Sequence, residues 1–134
     1  MNYPEYAATF EAEANYSFNE PHALDDLWNR LSSFGNQIPY PENLAINFEL
    51  KKEIFFYILR MLMSDGRLRL AKNGQFLVGS IDEQLEKLKK VFPESEESQK
   101  GIGGISKWFF MDQCPAGAVW VYQLEDGKEY LEWT

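Results

Sequence analysis

The sequence predicts a single α+β domain over residues 1–134, in which a helical layer around a central apolar helix packs on antiparallel β-hairpins. Residues 47–64 are typical of a long helix that is apolar on most sides, as expected of a core element. Two turn signals, at residues 73–74 and 125–127, each lie between alternating segments and indicate two hairpins. Because the helices and the hairpins occupy separate blocks of the chain, the class is α+β.

The first half of the chain predicts two further helices before the central one. Residues 3–18 alternate like a strand but are rich in alanine and glutamate, and we expect a helix there. A second helix follows Pro21, which suits a first helical position, and Gly35 is a natural stop for it. The two prolines of residues 37–43 predict a rigid loop. One apolar stripe runs along the second helix: Leu24, Leu27, Trp28 and Leu31.

The second half predicts a hairpin, a helix, a loop and another hairpin. Residues 67–71 and 75–78 alternate around the turn residues Asn73 and Gly74. Ser80, with Glu83 three residues later, forms a capping-box pattern and predicts the start of a helix that Pro93 ends. Residues 94–104 are charged and then glycine-rich without periodicity, which predicts a mobile loop. Residues 119–124 and 128–133 are expected to form the second hairpin.

Composition favours a folded protein of the cytoplasm. The chain is 45% hydrophobic and 16% aromatic, which provides enough apolar material for a core and argues against disorder. Its single cysteine, Cys114, cannot form an internal disulfide and suits a reducing compartment. The first residues lack the pattern of a signal peptide, and the longest apolar run, residues 54–59, is too short to span a bilayer. We therefore expect a cytoplasmic location and no membrane partner.

The charge distribution favours a basic partner. The formal net charge is −8. Residues 1–50 carry a net charge of −7, residues 51–92 carry +4, and residues 93–134 carry −5. An acidic surface repels phosphate backbones, so we expect no nucleic-acid partner, and it speeds the capture of a basic protein. Ordinary solvated faces remain the simpler interpretation of such charge runs.

Candidate catalytic and metal-ligating residues are few. His22 is the only histidine, and nothing in the sequence pairs it with Cys114 as a nucleophile and base require. Because Cys114 precedes a proline in an apolar stretch, we expect a packed structural thiol. Asp25 and Asp26 lie near His22, but a tight metal site needs three or four convergent ligands. The chain is therefore predicted to be non-enzymatic, with no catalytic residue and no bound metal.

Two further functions are weighed and not favoured. The glycines of residues 101–104 lack the lysine and the strand–loop–helix context of a phosphate loop, so no cofactor is expected. A helix followed by a hairpin at residues 67–78 is similar to part of a winged-helix unit, and positive charge lies nearby. The candidate recognition helix, however, is apolar on most faces and looks like a core element. Winged-helix DNA binding is the less favoured alternative.

The C-terminal hairpin is the best candidate for a partner-binding surface. Acidic side chains steer a basic partner, and tyrosine is a common interface anchor. Strand alternation places Tyr130 and Glu132 on one side and Glu129, Leu131 and Trp133 on the other, so we expect only part of this set to reach a partner. The alternative is that the aromatic residues Trp120, Tyr122, Tyr130 and Trp133 belong to the core and that the acidic residues only keep an edge strand soluble. The predicted partner-binding residues are Glu125, Asp126, Glu129, Tyr130 and Glu132.

Several short motifs resemble a family of small bacterial proteins classed as a domain of unknown function. They are found at residues 24–28, 66–71, 80–84, 92–93 and 114–120, and the resemblance spans about residues 20–124. The most specific element is Cys114-Pro115-Ala116-Gly117 followed by Trp120. Some members of the family look like immunity proteins encoded beside contact-dependent inhibition toxins.

The resemblance implies a cytosolic protein that binds and blocks a toxin. It offers no catalytic residues to transfer to this chain. The acidity of the chain adds the expectation that the toxin is basic, as a nuclease must be to hold phosphates. Two alternatives stay open: a small adaptor or regulatory binding domain, and a small enzyme built on carboxylates.

Overall fold

A computed structural model describes residues 7–32 and 48–134, and it confirms the α+β class. The predicted stop at Gly35 and the predicted loop at residues 37–43 lie outside the described residues. Five helices and four strands follow one another along the described part of the chain. They are α1 (Ala7–Asn19), α2 (Leu24–Ser32), α3 (Phe48–Ser64), β1 (Leu68–Lys72), β2 (Gln75–Phe76), α4 (Ile81–Val91), α5 (Ile105–Trp108), β3 (Gly117–Gln123) and β4 (Glu129–Trp133).

The two hairpins join into one antiparallel sheet with the strand order β2-β1-β3-β4. Leu68 of β1 lies opposite Trp120 of β3, which in turn lies opposite Glu132 of β4. Since side chains alternate between faces, Leu68, Leu70 and Trp120 share the face that packs into the main core. β4 is consequently left at one edge of the sheet.

The turn between β1 and β2 has the predicted conformation. Asn73 has φ of 53° and Gly74 has φ of 78°, the positive values that a two-residue hairpin turn requires. Alanine or a β-branched residue would be strained at either position, which is why asparagine and glycine signal this turn.

Helix α3 is the centre of the domain, as predicted. Ile54, Phe55, Ile58, Leu59 and Leu62 are all fully buried. Helix α2 packs against it through its predicted apolar stripe, where Trp28 contacts Phe55 with ring centroids 5.5 Å apart. Most of the apolar surface of α3 is thus packed inside the domain, as expected of a core helix.

Helices α1 and α4 also follow the sequence prediction. The first segment is helical over Ala7–Asn19, so its alanine and glutamate content predicted the structure better than its alternation did. At α4, the Ser80 hydroxyl accepts from the Glu83 amide and the Glu83 carboxylate accepts from the Ser80 amide. This reciprocal capping box lowers the pKa of Glu83 through the hydrogen bonds from Ser80.

The loop predicted at residues 94–104 contains a short helix that the sequence interpretation did not foresee. A 3₁₀ helix forms over Glu97–Ile102 and leads into α5. The Ser98 amide donates to the Ser95 hydroxyl over 3.1 Å, and Gly103 and Gly104 take positive φ values of 102° and 92°. Side-chain caps and a three-residue turn carry no apolar periodicity, so a search for amphipathic patterns does not detect them.

The helices of the described ranges include no candidate membrane span, because none combines the necessary length with the necessary apolarity.

Candidate protein-docking surface

The five residues predicted to bind a partner lie together at the β4 edge of the sheet. Glu125 and Asp126 are exposed in the turn that joins β3 to β4, and Glu129, Tyr130 and Glu132 follow in β4 itself. Glu132 is half-buried and the other four are exposed. We call these five residues the acidic edge. The structure thus brings the predicted set into one continuous surface.

The acidic edge is reachable from both sides of the strand. Tyr130 donates its hydroxyl to Glu132 over 2.7 Å on one face, whereas Glu129 accepts from the Gln123 amide group over 3.3 Å on the other. Tyr130 is 51% exposed and Trp133, on the opposite face, is 46% exposed. Side chains on both faces of β4 are therefore accessible to solvent, because an edge strand is not sandwiched as an internal strand is. That only part of the set touches a partner stays a prediction.

Hydrogen bonds from β3 anchor this surface to the helices. Tyr122 donates its hydroxyl to the Phe18 carbonyl over 2.6 Å, and the Trp120 indole N–H donates to the His22 carbonyl over 2.9 Å. Trp120 is part of the core and Tyr122 is half-buried against it. The aromatic residues of the hairpin are thus divided: Trp120 and Tyr122 fix the hairpin, and Tyr130 and Trp133 are available at the surface.

The outer face of the sheet carries apolar residues that the sequence interpretation did not identify as functional. The Arg69 guanidinium lies 3.6 Å from the ring centroid of Phe76, and the Phe76 and Trp133 rings are 5.1 Å apart. These large side chains approach each other across two intervening strands because the residues between them, Ala71 and Gly117, are small. The alternation of β4 places Trp133 on this face. That Phe76 of β2 shares the face with it follows only from the strand order.

The backbone of β4 offers unpaired groups along its outer side. Leu124 donates to the Lys128 carbonyl, and Thr134 donates to the Ala118 carbonyl. Hydrogen-bonded pairs alternate along an antiparallel ladder, so Tyr130 and Glu132 also bond to β3. The N–H and C=O groups of the alternate residues, Glu129, Leu131 and Trp133, point away from the sheet. No further strand pairs with them within residues 7–32 and 48–134.

The described part of the N-terminal segment exposes fewer acidic side chains than the acidic edge does. Glu11 and Glu20 are exposed, but Glu13 is fully buried and accepts from Arg30 over 3.1 Å. Burial raises the pKa of Glu13, and the Arg30 charge opposes that effect only in part. Glu13 is therefore not available to a partner.

A groove of about 530 Å³ lies between α3 and α4. Phe56 and Leu85 form part of its floor, and charged side chains of both signs surround them. Arg60 is ion-paired with Asp82 across the groove, and Lys89 lies 5.3 Å from the Phe56 ring centroid. The mixture of signs gives this groove no evident preference for an ionic ligand.

Cys114 has the environment of a structural thiol. It is fully buried, and its Sγ donates to the Ala116 carbonyl over 3.2 Å. Burial raises the pKa of Cys114, which disfavours the reactive thiolate. His22, in contrast, is exposed in the segment between α1 and α2, where its carbonyl accepts from Trp120. Within the described ranges, no three histidine, cysteine, aspartate or glutamate residues are placed to hold a metal ion.

The family described as "Protein of unknown function, DUF596" matches residues 63–134, which is more than half of the chain. The chain belongs to this family. The DUF596 match begins near the end of α3 and contains the whole sheet, including the acidic edge. The resemblance to a domain of unknown function is thereby confirmed, although the matched residues lie further toward the C-terminus than the motifs suggested.

A solved structure supports the fold of this DUF596 chain. It is described as an uncharacterized protein conserved in bacteria, from Neisseria meningitidis. The two chains are 28% identical, with a TM-score of 0.74, and the match covers 96% of this chain and 90% of that one. A comparison with curated proteins found no match.

Proposed function

We propose that this DUF596 protein is a non-enzymatic immunity protein that binds and neutralises a basic, nuclease-type toxin domain. The observation that carries the proposal is the acidic edge. Its four carboxylates are solvent-accessible, lie on one hairpin, and are held by a strand that is hydrogen-bonded to the helical layer. A nuclease needs positive charge to hold phosphates, and an acidic protein can occupy that surface in place of the substrate.

Three basic residues of the central segment are engaged within the fold, whereas five others are exposed: Arg60, Arg69, Lys87, Lys89 and Lys90. Lys51 is buried against Trp28, with its Nζ 4.1 Å from the ring centroid. Arg67 is paired with Asp65 over 2.8 Å, and Lys72 donates to the Met111 carbonyl over 3.1 Å. Support for an acidic docking surface therefore comes from the C-terminal hairpin itself, where the four accessible acids are accompanied by a single base, Lys128.

The test is protection in cells. Any toxin domain encoded by a neighbouring gene is expressed from an inducible promoter, with and without the DUF596 chain. We expect growth to be restored only when the chain is present, and the two proteins to co-purify as a complex that excludes nucleic acid. Continued killing in the presence of well-folded DUF596 chain, or protection without a complex, would reject the proposed function. A catalytically inactive variant of the toxin can be expressed without killing the cell. Its co-purification with the DUF596 chain shows whether a failure to protect reflects a failure to bind or poor expression.

A further inference from the structure

We infer that the partner is recognised by strand addition: an extended, basic segment of the toxin pairs with the open edge of β4. The inference rests on the proposed function for the identity of the partner. The pairing itself is argued from the geometry of the edge. Main-chain hydrogen bonds would supply affinity, and alternate side chains would supply specificity.

The two edges of this sheet differ in how they are protected. Natural edge strands are usually blunted by shortness, bulges, proline or charged side chains, lysine above all, because an open edge recruits other strands. β2 is only two residues long and so offers little to pair with. β4, in contrast, pairs with β3 over five consecutive residues without a bulge and contains no proline or lysine. The charges of β4 are the carboxylates of Glu129 and Glu132, which repel an acidic strand but attract a basic one. Among the residues that the structure describes, the β4 edge is thus open to a basic strand.

The backbone groups needed for pairing are already oriented. Glu129, Leu131 and Trp133 direct their N–H and C=O groups away from β3, as the register and the flanking hydrogen bonds require. An added strand would bond to these three residues and leave Tyr130 and Glu132 in their present ladder. No rearrangement of the sheet is needed.

Charge selects the occupant. An incoming strand would have Glu129 beside it on the outer face and Glu132 beside it on the helix side, and cross-strand pairs of opposite charge are favourable. A strand with lysine or arginine at positions of both faces therefore fits. A second copy of this chain does not fit well, because each copy carries a net charge of −8 and would bring its own acidic hairpin to the contact.

Apolar contacts would accompany the pairing. Trp133 and Tyr130 flank the edge on opposite faces and are each about half exposed, at 46% and 51%. Both rings can cover apolar side chains of an added strand, as aromatic cross-strand neighbours do. The added segment would thus combine basic and apolar residues.

The decisive variants are Leu131→Pro and Leu131→Ala. The Leu131 amide points outward, so proline removes a donor that β3 does not use and places its ring in the path of an added strand. Alanine keeps the amide and loses only the side chain. If strand addition is correct, we expect Leu131→Pro to weaken partner binding by about tenfold or more and Leu131→Ala by less than about threefold. Thermal unfolding of both variants establishes that the sheet is intact.

A synthetic probe tests the mode independently of the toxin. A short peptide of alternating valine and lysine is added to isotope-labelled protein, and amide hydrogen exchange is followed by NMR. We expect exchange to slow at Glu129, Leu131 and Trp133 and to stay unchanged at Tyr130 and Glu132. The same peptide with glutamate in place of lysine, or with its pairing amides methylated, should have no effect.

The outcomes separate the two proposals. If Leu131→Pro still protects cells and binds the toxin with unchanged affinity, the immunity function stands and strand addition is overturned. If the unaltered chain gives no protection, the proposed function is rejected. The peptide experiment still shows whether β4 accepts an added strand. Absence of slowed exchange with the lysine peptide, equal binding of the methylated peptide, or a β4-dependent homodimer in sedimentation would each overturn the inference.

Discussion

Glu13 and Arg30, separated by seventeen positions in the chain, form an ion pair of 3.1 Å in which the carboxylate is fully buried. The Arg30 guanidinium also lies 3.6 Å from the ring centroid of Tyr16. The pair ties α1 to α2. Because desolvation of a carboxylate is costly, this contact makes stability depend on pH.

The pH dependence follows from the raised pKa of Glu13. The folded chain binds this proton more tightly than the unfolded chain does. The contribution of Glu13 to stability should therefore be greatest below its ordinary pKa of 4.5 and be lost as the pH rises through the raised folded value. Glu13→Gln cannot titrate. We expect urea unfolding to show that wild type progressively loses stability relative to Glu13→Gln as the pH rises above 4.5.

The matched control for that experiment is Glu11→Gln on the same helix. Glu11 is exposed, so its substitution should leave the pH profile close to that of wild type. A profile for Glu13→Gln that runs parallel to wild type would show that the carboxylate is not perturbed by burial.

The central position of α3 predicts large losses of stability from small cavities. Ile58→Ala or Leu59→Ala should lower the free energy of unfolding by about 2–5 kcal/mol, because both side chains are fully buried. Chemical denaturation measures this, with Val78→Ala as the control, since Val78 is 82% exposed. A loss below about 0.5 kcal/mol at both α3 positions would mean that the helix is peripheral.

The buried thiol predicts low reactivity and no role in protection. Cys114 should react with a thiol reagent slowly in the folded protein and rapidly in urea, because burial both excludes the reagent and raises the pKa. His22→Ala and Cys114→Ala should protect cells from the toxin as well as wild type does. Loss of protection in either variant with normal folding would indicate a chemical role that the proposed function does not include.

The charge of the acidic edge predicts a salt-dependent association rate. The triple variant Glu125→Lys, Asp126→Lys and Glu132→Lys should slow association with the toxin at low salt by about tenfold or more and have less effect at high salt. The control reverses three exposed acids elsewhere, Glu86, Glu94 and Glu97, and so changes the net charge equally. Equal rates for the two triple variants would exclude the hairpin as the docking surface and direct attention to Glu11 and Glu20.

Elements with local causes were predictable from the sequence. The Asn73-Gly74 turn, the capping box at Ser80 and the apolar character of α3 each depend on residues close together in the chain, and each is present in the structure. The five residues of the acidic edge were also identified from one hairpin. Their grouping needed only a turn signal and strand alternation.

Tertiary structure alone decided the burial of Glu13 and the open edge of β4. The sequence shows a glutamate and an arginine but not that α2 brings Arg30 to Glu13 and removes both from much of the solvent. Likewise, alternation predicts which residues of β4 share a face, but the pairing of β1 with β3 determines that β4 lies at the edge. Local patterns specify hydrogen bonds between near neighbours, whereas strand order and ion pairs between distant residues depend on how the whole chain packs.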